Sequence, residues 1–244
     1  METSVRVEIH GAVATLILNR PQEGNILTAP TFAELTHHLH ELAENRSVRV
    51  LCLGAAGPDF SLGRKGSAHS DAVAFYEEFQ LVQACNQALA AFPGITVAVV
   101  QGRAVGAGCS LAGRCDIVLA ADDARFSFPE IPQGIAPTIV LSYFGKKLPS
   151  KALFHMLLTG RAIDANEAQR IGLVSEVVPS DRLQERSREL SQQFAQLDEQ
   201  VTRLCKSFFS NLDRLTVDDA ANYGIALLSI AMERKVREKY SDGV

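Results

Sequence analysis

Apolar positions recur along this chain with two different periods, and the switches between them mark out its elements. Val5–Ile9 and Val13–Leu18 alternate or run apolar around His10-Gly11, the pattern of a hairpin. Asn19-Arg20-Pro21 ends the second strand, because proline withdraws a ladder donor. From Pro30, Phe32, Leu35, Leu39 and Leu42 keep helical spacing, with Thr28 or Thr31 as the cap. A buried-type strand over Val48–Leu53 leads into a glycine-rich loop over Gly54–Ser70, too long to be a plain connector. Loops of that size in compact domains carry function or move. The next helix is predicted over 71–92, with Phe75, Tyr76, Phe79, Val82 and Leu89 on one stripe. Strand 95–100, a glycine turn and helix to Arg114, and strand 116–120 complete an alternation of strand and helix. That alternation argues for an α/β fold, a parallel-rich sheet with helices packed on it.

Beyond Glu130 the pattern turns helical. Short helices are predicted over Ile139–Phe144 and Lys151–Leu158, the second stopped by Thr159-Gly160. Asp164-Ala165-Asn166-Glu167 reads as a capping box for a helix that ends at Gly172. Val174–Val178 is extended before Pro179, and Ser180 starts an amphipathic helix to about Leu197. Two last helices are expected near 199–211 and 217–240. Their stripe of Leu204, Phe208, Leu212, Ile225, Leu228 and Met232 is more than one sheet-and-helix core would cover. The organisation expected is therefore a core over 1–196 and a helical region over 197–244.

Composition narrows the function classes. With 244 residues, 47% hydrophobic, the chain can bury a sizeable core. A net charge of -4 and no Lys/Arg run longer than two residues leave no basic face for nucleic acid. The first residues lack a secretory pattern and no apolar run reaches a membrane span, so a cytoplasmic location is expected. Five cysteines without a CxxC pair read as reduced thiols, most of them in the core. His37, His38 and His40 share a helix without an acidic partner in register, which suits solvated surface; no metal site is expected.

Chemistry concentrates between Ile95 and Glu130. Gly102, Gly106 and Gly108 strip side chains from the turn where a strand becomes a helix. The first amides of that helix lack partners inside it, and amides so held favour an anion, or a carbonyl oxygen that becomes one. A lone glutamate, Glu130, follows Pro129 at the end of this stretch.

Four segments, in order, resemble the crotonase (enoyl-CoA hydratase/isomerase) superfamily over nearly the whole chain. They are GAVATLILNRPQEGNIL, FSLGRK, QGRAVGAGCSLAGRCDIVLAADDARFSFPEIPQGIAP and LLTGRAIDANEAQRIGLVSEVVP. The resemblance implies a crotonase-like spiral of ββα units with a C-terminal helical region. It implies homo-oligomers, trimers or hexamers, and an acyl-CoA thioester as substrate with no separate cofactor.

By matching position, the resemblance makes the backbone N–H groups of Arg64 and Ala107 an oxyanion hole. It places Ser61, Leu62, Gly63, Lys65, Gly106, Gly108, Ser110 and Pro129 around the substrate. Hydratases of this family use two glutamates. The second matches Glu130; the first falls on Ser110, and a serine without an activating partner is no general base near neutral pH. One glutamate beside an enolate-stabilising hole suits allylic isomerisation of an enoyl-CoA, with slower hydration also conceivable chemically. Decarboxylation or cleavage of an acyl thioester, and non-catalytic acyl-CoA binding, stay open as alternatives. The Arg64 and Lys65 side chains either meet a CoA phosphate or are solvated. Asp116 is read as structural, and Tyr143 as a core residue within possible reach of the site.

Overall fold

In a computed structural model, which describes residues 3–66 and 71–241, the chain divides into two compact units, Met1–Ala195 and Gln196–Val244. The last four residues of the 54–70 loop and the last three of the C-terminal region lie outside the described residues.

Strands β1 (Val5–His10) and β2 (Val13–Leu18) form the expected antiparallel hairpin. Helix α1 (Ala29–Glu44) follows, and Thr28 is its cap, accepting from the Thr31 N–H. Then come β3 (Val50–Ala55), α2 (Ala72–Ala91), β4 (Ile95–Val100), β5 (Arg103–Val105), α3 (Ala107–Gly113), β6 (Ile117–Ala121) and β7 (Arg125–Ser127). Short helices α4 (Thr138–Phe144) and α5 (Ser150–Thr159), strand β8 (Ile163–Asp164), α6 (Ala165–Arg170), β9 (Glu176–Val178) and α7 (Leu183–Ala195) close the first unit.

The main sheet has the order β1-β2-β3-β4-β6-β9 and is parallel from β2 onward. Both of its faces are covered, which explains why β3 and β4 read as continuous apolar runs. Leu51, Leu53, Ala98, Val100, Val118 and Ala120 face the large core that includes α1 and α2. Val50, Cys52, Val97, Val99, Leu119 and Ala121 alternate with them and face the other way, toward Leu183 and Leu190 of α7. Asp116 is structural, as expected: it accepts from the Thr96 N–H (2.8 Å) and hydroxyl (2.9 Å), joining the starts of β4 and β6.

Three findings differ from the sequence reading. A second sheet, β5-β7-β8, was not anticipated, because strands of two or three residues carry no usable period. The stripe of α2 is displaced: Phe75 and Tyr76 are exposed, while Glu78, Val82, Cys85 and Leu89 are buried. An acidic partner for the α1 histidines exists after all. Glu41 lies 3.4 Å from His37 Nε2 and 3.1 Å from His38 Nδ1, one turn along the helix.

Four cysteines are buried and Cys205 is exposed, and among the described residues none is in a disulfide. In the second unit, α8 (Glu199–Asn211) and α9 (Val217–Ser241) meet through the Phe208 and Tyr223 rings and an Arg234–Asp198 ion pair at 2.6 Å. Phe209, Ile225, Leu228 and Met232 are exposed. Among the described residues no helix is long and apolar enough to cross a membrane.

Candidate active site

The site is assembled where three loops are held against one another. The segment after β2 turns at Asn25, a non-glycine residue with φ 51°. That geometry is held by its own side chain, which accepts from the Arg20 N–H (2.9 Å) and donates to Ala56 O (2.8 Å) and Asp59 O (2.9 Å). The loop after β3 is pinned on both edges. Ser61 pairs with Ala104 of β5, and Arg64 pairs with Leu27.

The pairing decides where the Arg64 amide points. Leu27 donates to Gly63 O (2.8 Å) and accepts from the Lys65 N–H (3.0 Å). In a parallel ladder the residue between those two, Arg64, directs its own N–H to the opposite side. Neither that N–H nor the Ala107 N–H, at the start of α3, finds an acceptor among the described residues.

Close packing holds the two glycine loops together. A Cβ at Gly108 would lie 2.6 Å from Ser61 Cβ and 2.9 Å from Ser61 O. The Ser61 hydroxyl is fully buried, donating to Asn25 O (2.9 Å) and accepting from the Gly63 N–H (3.2 Å). Its expected contact with substrate is thus replaced by a role in shaping the loop, since its hydrogen bonds are spent inside the chain. Leu62 lies against Gly24, and Lys65 is exposed.

Arg64 departs from both sequence alternatives. Its side chain is neither solvated nor free for a phosphate: it forms an ion pair with Glu78 of α2 and lies 4.6 Å over the Phe79 ring. Glu78 was not singled out from sequence, because an acid predicted on a helix near a long loop reads as surface. The clamp ties the loop that carries the Arg64 amide to α2. Glu78→Ala would leave the guanidinium half-buried and unpaired. We expect a loss of about 2 kcal/mol or more in urea denaturation, together with a lower kcat.

A second clamp lies behind the turn. Arg103 donates to both carboxylate oxygens of Asp59 (2.9 and 2.7 Å) and adds its backbone N–H (3.0 Å). These bonds hold the Asp59 carboxyl below the usual carboxylate range. A lowered folded-state pKa stabilises the fold above the unfolded value, and that stability is lost as pH falls through the folded value. The stability gap between the natural protein and Asp59→Asn should therefore be widest near neutral pH and close in acid, as thermal melts across pH will read.

Glu130 follows β7 and Pro129 and precedes a single 3-10 turn, for which its side chain gives no capping bond. The half-buried carboxylate faces the turn: a Cβ at Gly106 would lie 3.0 Å from Glu130 Oε1, and the φ of 51° there favours glycine. Oε2 is buried with no hydrogen-bond partner among the described residues. Burial raises the Glu130 pKa above its ordinary value. A buried, unpaired carboxylate is costly, and such a group is retained where a ligand or proton transfer uses it.

Gly106, Ser110 and Arg114 lie four residues apart, on one face of α3 from its N-cap to its C-cap. Ser110 is buried, and its hydroxyl has one partner among the described residues, Arg114 Nε at 3.4 Å. The Arg114 guanidinium also donates to Ile139 O (3.3 Å) and lies 4.3 Å over the half-buried Tyr143 ring. Burial raises the Tyr143 pKa and lowers that of Arg114. Arg114 was missed in the sequence, although its i,i+4 relation to Ser110 was there to be read.

The enoyl-CoA hydratase/isomerase family model matches residues 8–238. A probable enoyl-CoA hydratase of Mycobacterium tuberculosis is 35% identical over 207 residues, covering 83% of this chain and 79% of that protein. The mitochondrial enoyl-CoA hydratase domain-containing protein 3 of Rattus norvegicus is 30% identical over 200 residues, covering 81% and 67%. Among solved structures, an enoyl-CoA hydratase of Mycobacterium smegmatis superposes with a TM-score of 0.91 at 27% identity, covering 95% of this chain and 91% of that one. The chain has the crotonase fold, and it belongs to the enoyl-CoA hydratase/isomerase family.

Proposed function

We propose that this chain shifts the double bond of an enoyl-CoA by moving one proton, with Glu130 as the only acid/base group. The observation that carries the reading is the buried, unpartnered Glu130 Oε2 beside the glycine turn, with Ser110 where the first glutamate of the family's hydratases would stand. The Glu130 carboxylate takes a proton from C2 of a 3-enoyl thioester. The electron pair delocalises through the double bond and onto the thioester oxygen, where the amides of Arg64 and Ala107 donate to it. Glu130 returns the proton to C4, leaving the double bond between C2 and C3. No water is consumed, so no second carboxylate is needed. Gly106, Gly108 and Pro129 shape this turn, while Ser61, Leu62 and Gly63 hold the loop facing it.

Acyl-CoA is the substrate, with no further cofactor. Homo-oligomerisation as a trimer or hexamer is supported by family membership and by the exposed Ile225, Leu228 and Met232 of α9. The test is to incubate the protein separately with a 3-enoyl-CoA and with crotonyl-CoA. Conversion of the first to the 2-enoyl ester, faster than hydration of the second, is the expected result. Faster hydration of crotonyl-CoA would overturn the isomerase assignment.

A further inference from the structure

One charged group near the site has no task in the proton transfer just described. Arg114 is half-buried, and its partners among the described residues are neutral: a serine hydroxyl, a backbone carbonyl, a tyrosine ring and, electrostatically, the thiol of Cys85, whose pKa burial pushes up to about 12. A cation taken partly out of water without an anion is unfavourable unless something compensates it. The tyrosine face offers partial compensation. It leaves the forked guanidinium edge, the part that matches a carboxylate best, without an acid.

The position of this cation narrows what would compensate it. Gly106, Ser110 and Arg114 share one face of α3, with Glu130 against the first and the guanidinium folded back to the second. A long side chain on a helix leans toward the N-terminus, and Arg114 does so, bringing Nε beside the Ser110 hydroxyl. The cation therefore stands about one helical turn, roughly 5 Å along the axis, from the glycine turn that Glu130 faces. A glutamate at position 110 would have reached and neutralised it. Serine is too short and uncharged, so among the described residues the face keeps its positive end without an acid.

We infer that Arg114 and Ser110 receive the distal carboxylate of the acyl group, making the substrate a short dicarboxylic monothioester rather than a plain fatty acyl-CoA. The inference rests on the acyl-CoA reading above. In this arrangement the thioester oxygen meets the amides at the head of α3, the carbons next to it meet Glu130, and the far carboxylate accepts from the guanidinium and the serine hydroxyl. The substrate supplies the anion that the chain itself lacks at this face, and the neutral chain of a fatty acyl ester would leave the cation unpaired.

Binding tests this without depending on turnover. Glutaryl-CoA and valeryl-CoA have acyl chains of equal carbon number and differ in the terminal carboxylate. Calorimetry with the full-length natural protein should show glutaryl-CoA binding about tenfold tighter or better, the scale of a charge-assisted pair partly shielded from water. Arg114→Met should remove that preference, and Arg114→Lys should keep part of it, because an ammonium retains the charge without the fork. If Arg114→Met does not fold, the natural protein and Arg114→Lys still decide. Equal or tighter binding of valeryl-CoA by the natural protein overturns the inference, as does a preference that survives in Arg114→Met. The two readings fail separately. Isomerisation of a neutral 3-enoyl-CoA with no preference for the diacid ester sinks the carboxylate site alone. Preferential glutaryl-CoA binding with no isomerisation of any 3-enoyl ester sinks the proton-transfer reading alone.

Discussion

Glu130→Gln is expected to abolish double-bond isomerisation, lowering kcat by about 10²- to 10⁴-fold, the usual range for removing a positioned acid/base group. The amide keeps the shape of the side chain against Gly106 but cannot carry the proton from one carbon to the other. KM should change little, because the substitution touches neither the oxyanion amides nor the Ser110–Arg114 end of the helix face. The pH profile gives a second readout. Burial holds the Glu130 pKa above the ordinary carboxylate value, and abstraction needs the ionised form. The acid limb of kcat/KM should therefore fall at higher pH than for an exposed glutamate and vanish from whatever activity Glu130→Gln retains. Stability should move the opposite way. A raised folded-state pKa stabilises the protein fully below the unfolded value, and that contribution disappears as pH rises through the folded value. Above that window the buried charge opposes folding, so Glu130→Gln should melt at higher temperature than the natural protein near neutral pH. Unchanged turnover of every accepted acyl-CoA would rule out Glu130 as the proton carrier.

The contrast between Glu130 and its neighbours indicates what a sequence can disclose. The glycine turn was legible because three glycines, a flanking apolar strand and a following helix are local features, and each has one structural use. The hairpin and the cap at Asp164 were legible for the same reason, whereas the α1 cap stayed open between Thr28 and Thr31 and the Glu167 carboxylate pairs with Arg161 instead of closing a capping box. What was hidden depends on partners distant in sequence. Arg64 looked like a surface cation until Glu78, fourteen residues away, was found beside it. Ser61 looked like a substrate contact until Asn25 O, across thirty-six residues, was found to take its hydroxyl proton. Arg114 went unnoticed because an arginine in a short helix is usually solvated; its burial under Ile139 and Tyr143 follows from where α4 lies. Phe75 and Tyr76 kept a plausible helical stripe, yet α2 turns Glu78 inward instead, since a paired acid can be buried where an unpaired one cannot.

Gly108→Ala is expected to damage catalysis severely through a single methyl. The added Cβ would lie 2.6 Å from Ser61 Cβ and 2.9 Å from Ser61 O, closer than such atoms approach. Ser61 cannot swing aside, because it is fully buried, its hydroxyl is bonded on both sides, and its backbone is paired with β5. Relief must come from separating the loop that carries the Arg64 amide from the helix that begins at Ala107. An oxyanion hole works only when both donors meet one oxygen, and displacing or losing one donor costs about 10²- to 10³-fold in kcat. We expect that loss with KM nearly unchanged. Circular dichroism should still report the folded α/β protein, since the rest of the core is untouched and overpacking of this size costs about 1–3 kcal/mol. Gly134→Ala is the control for glycine replacement itself: a Cβ there meets nothing within 4 Å, although its φ of 75° adds some strain. If Gly108→Ala keeps the kcat of the natural protein while Glu130→Gln does not, the charge on the thioester oxygen is stabilised elsewhere, and the amides of Arg64 and Ala107 lose their assignment.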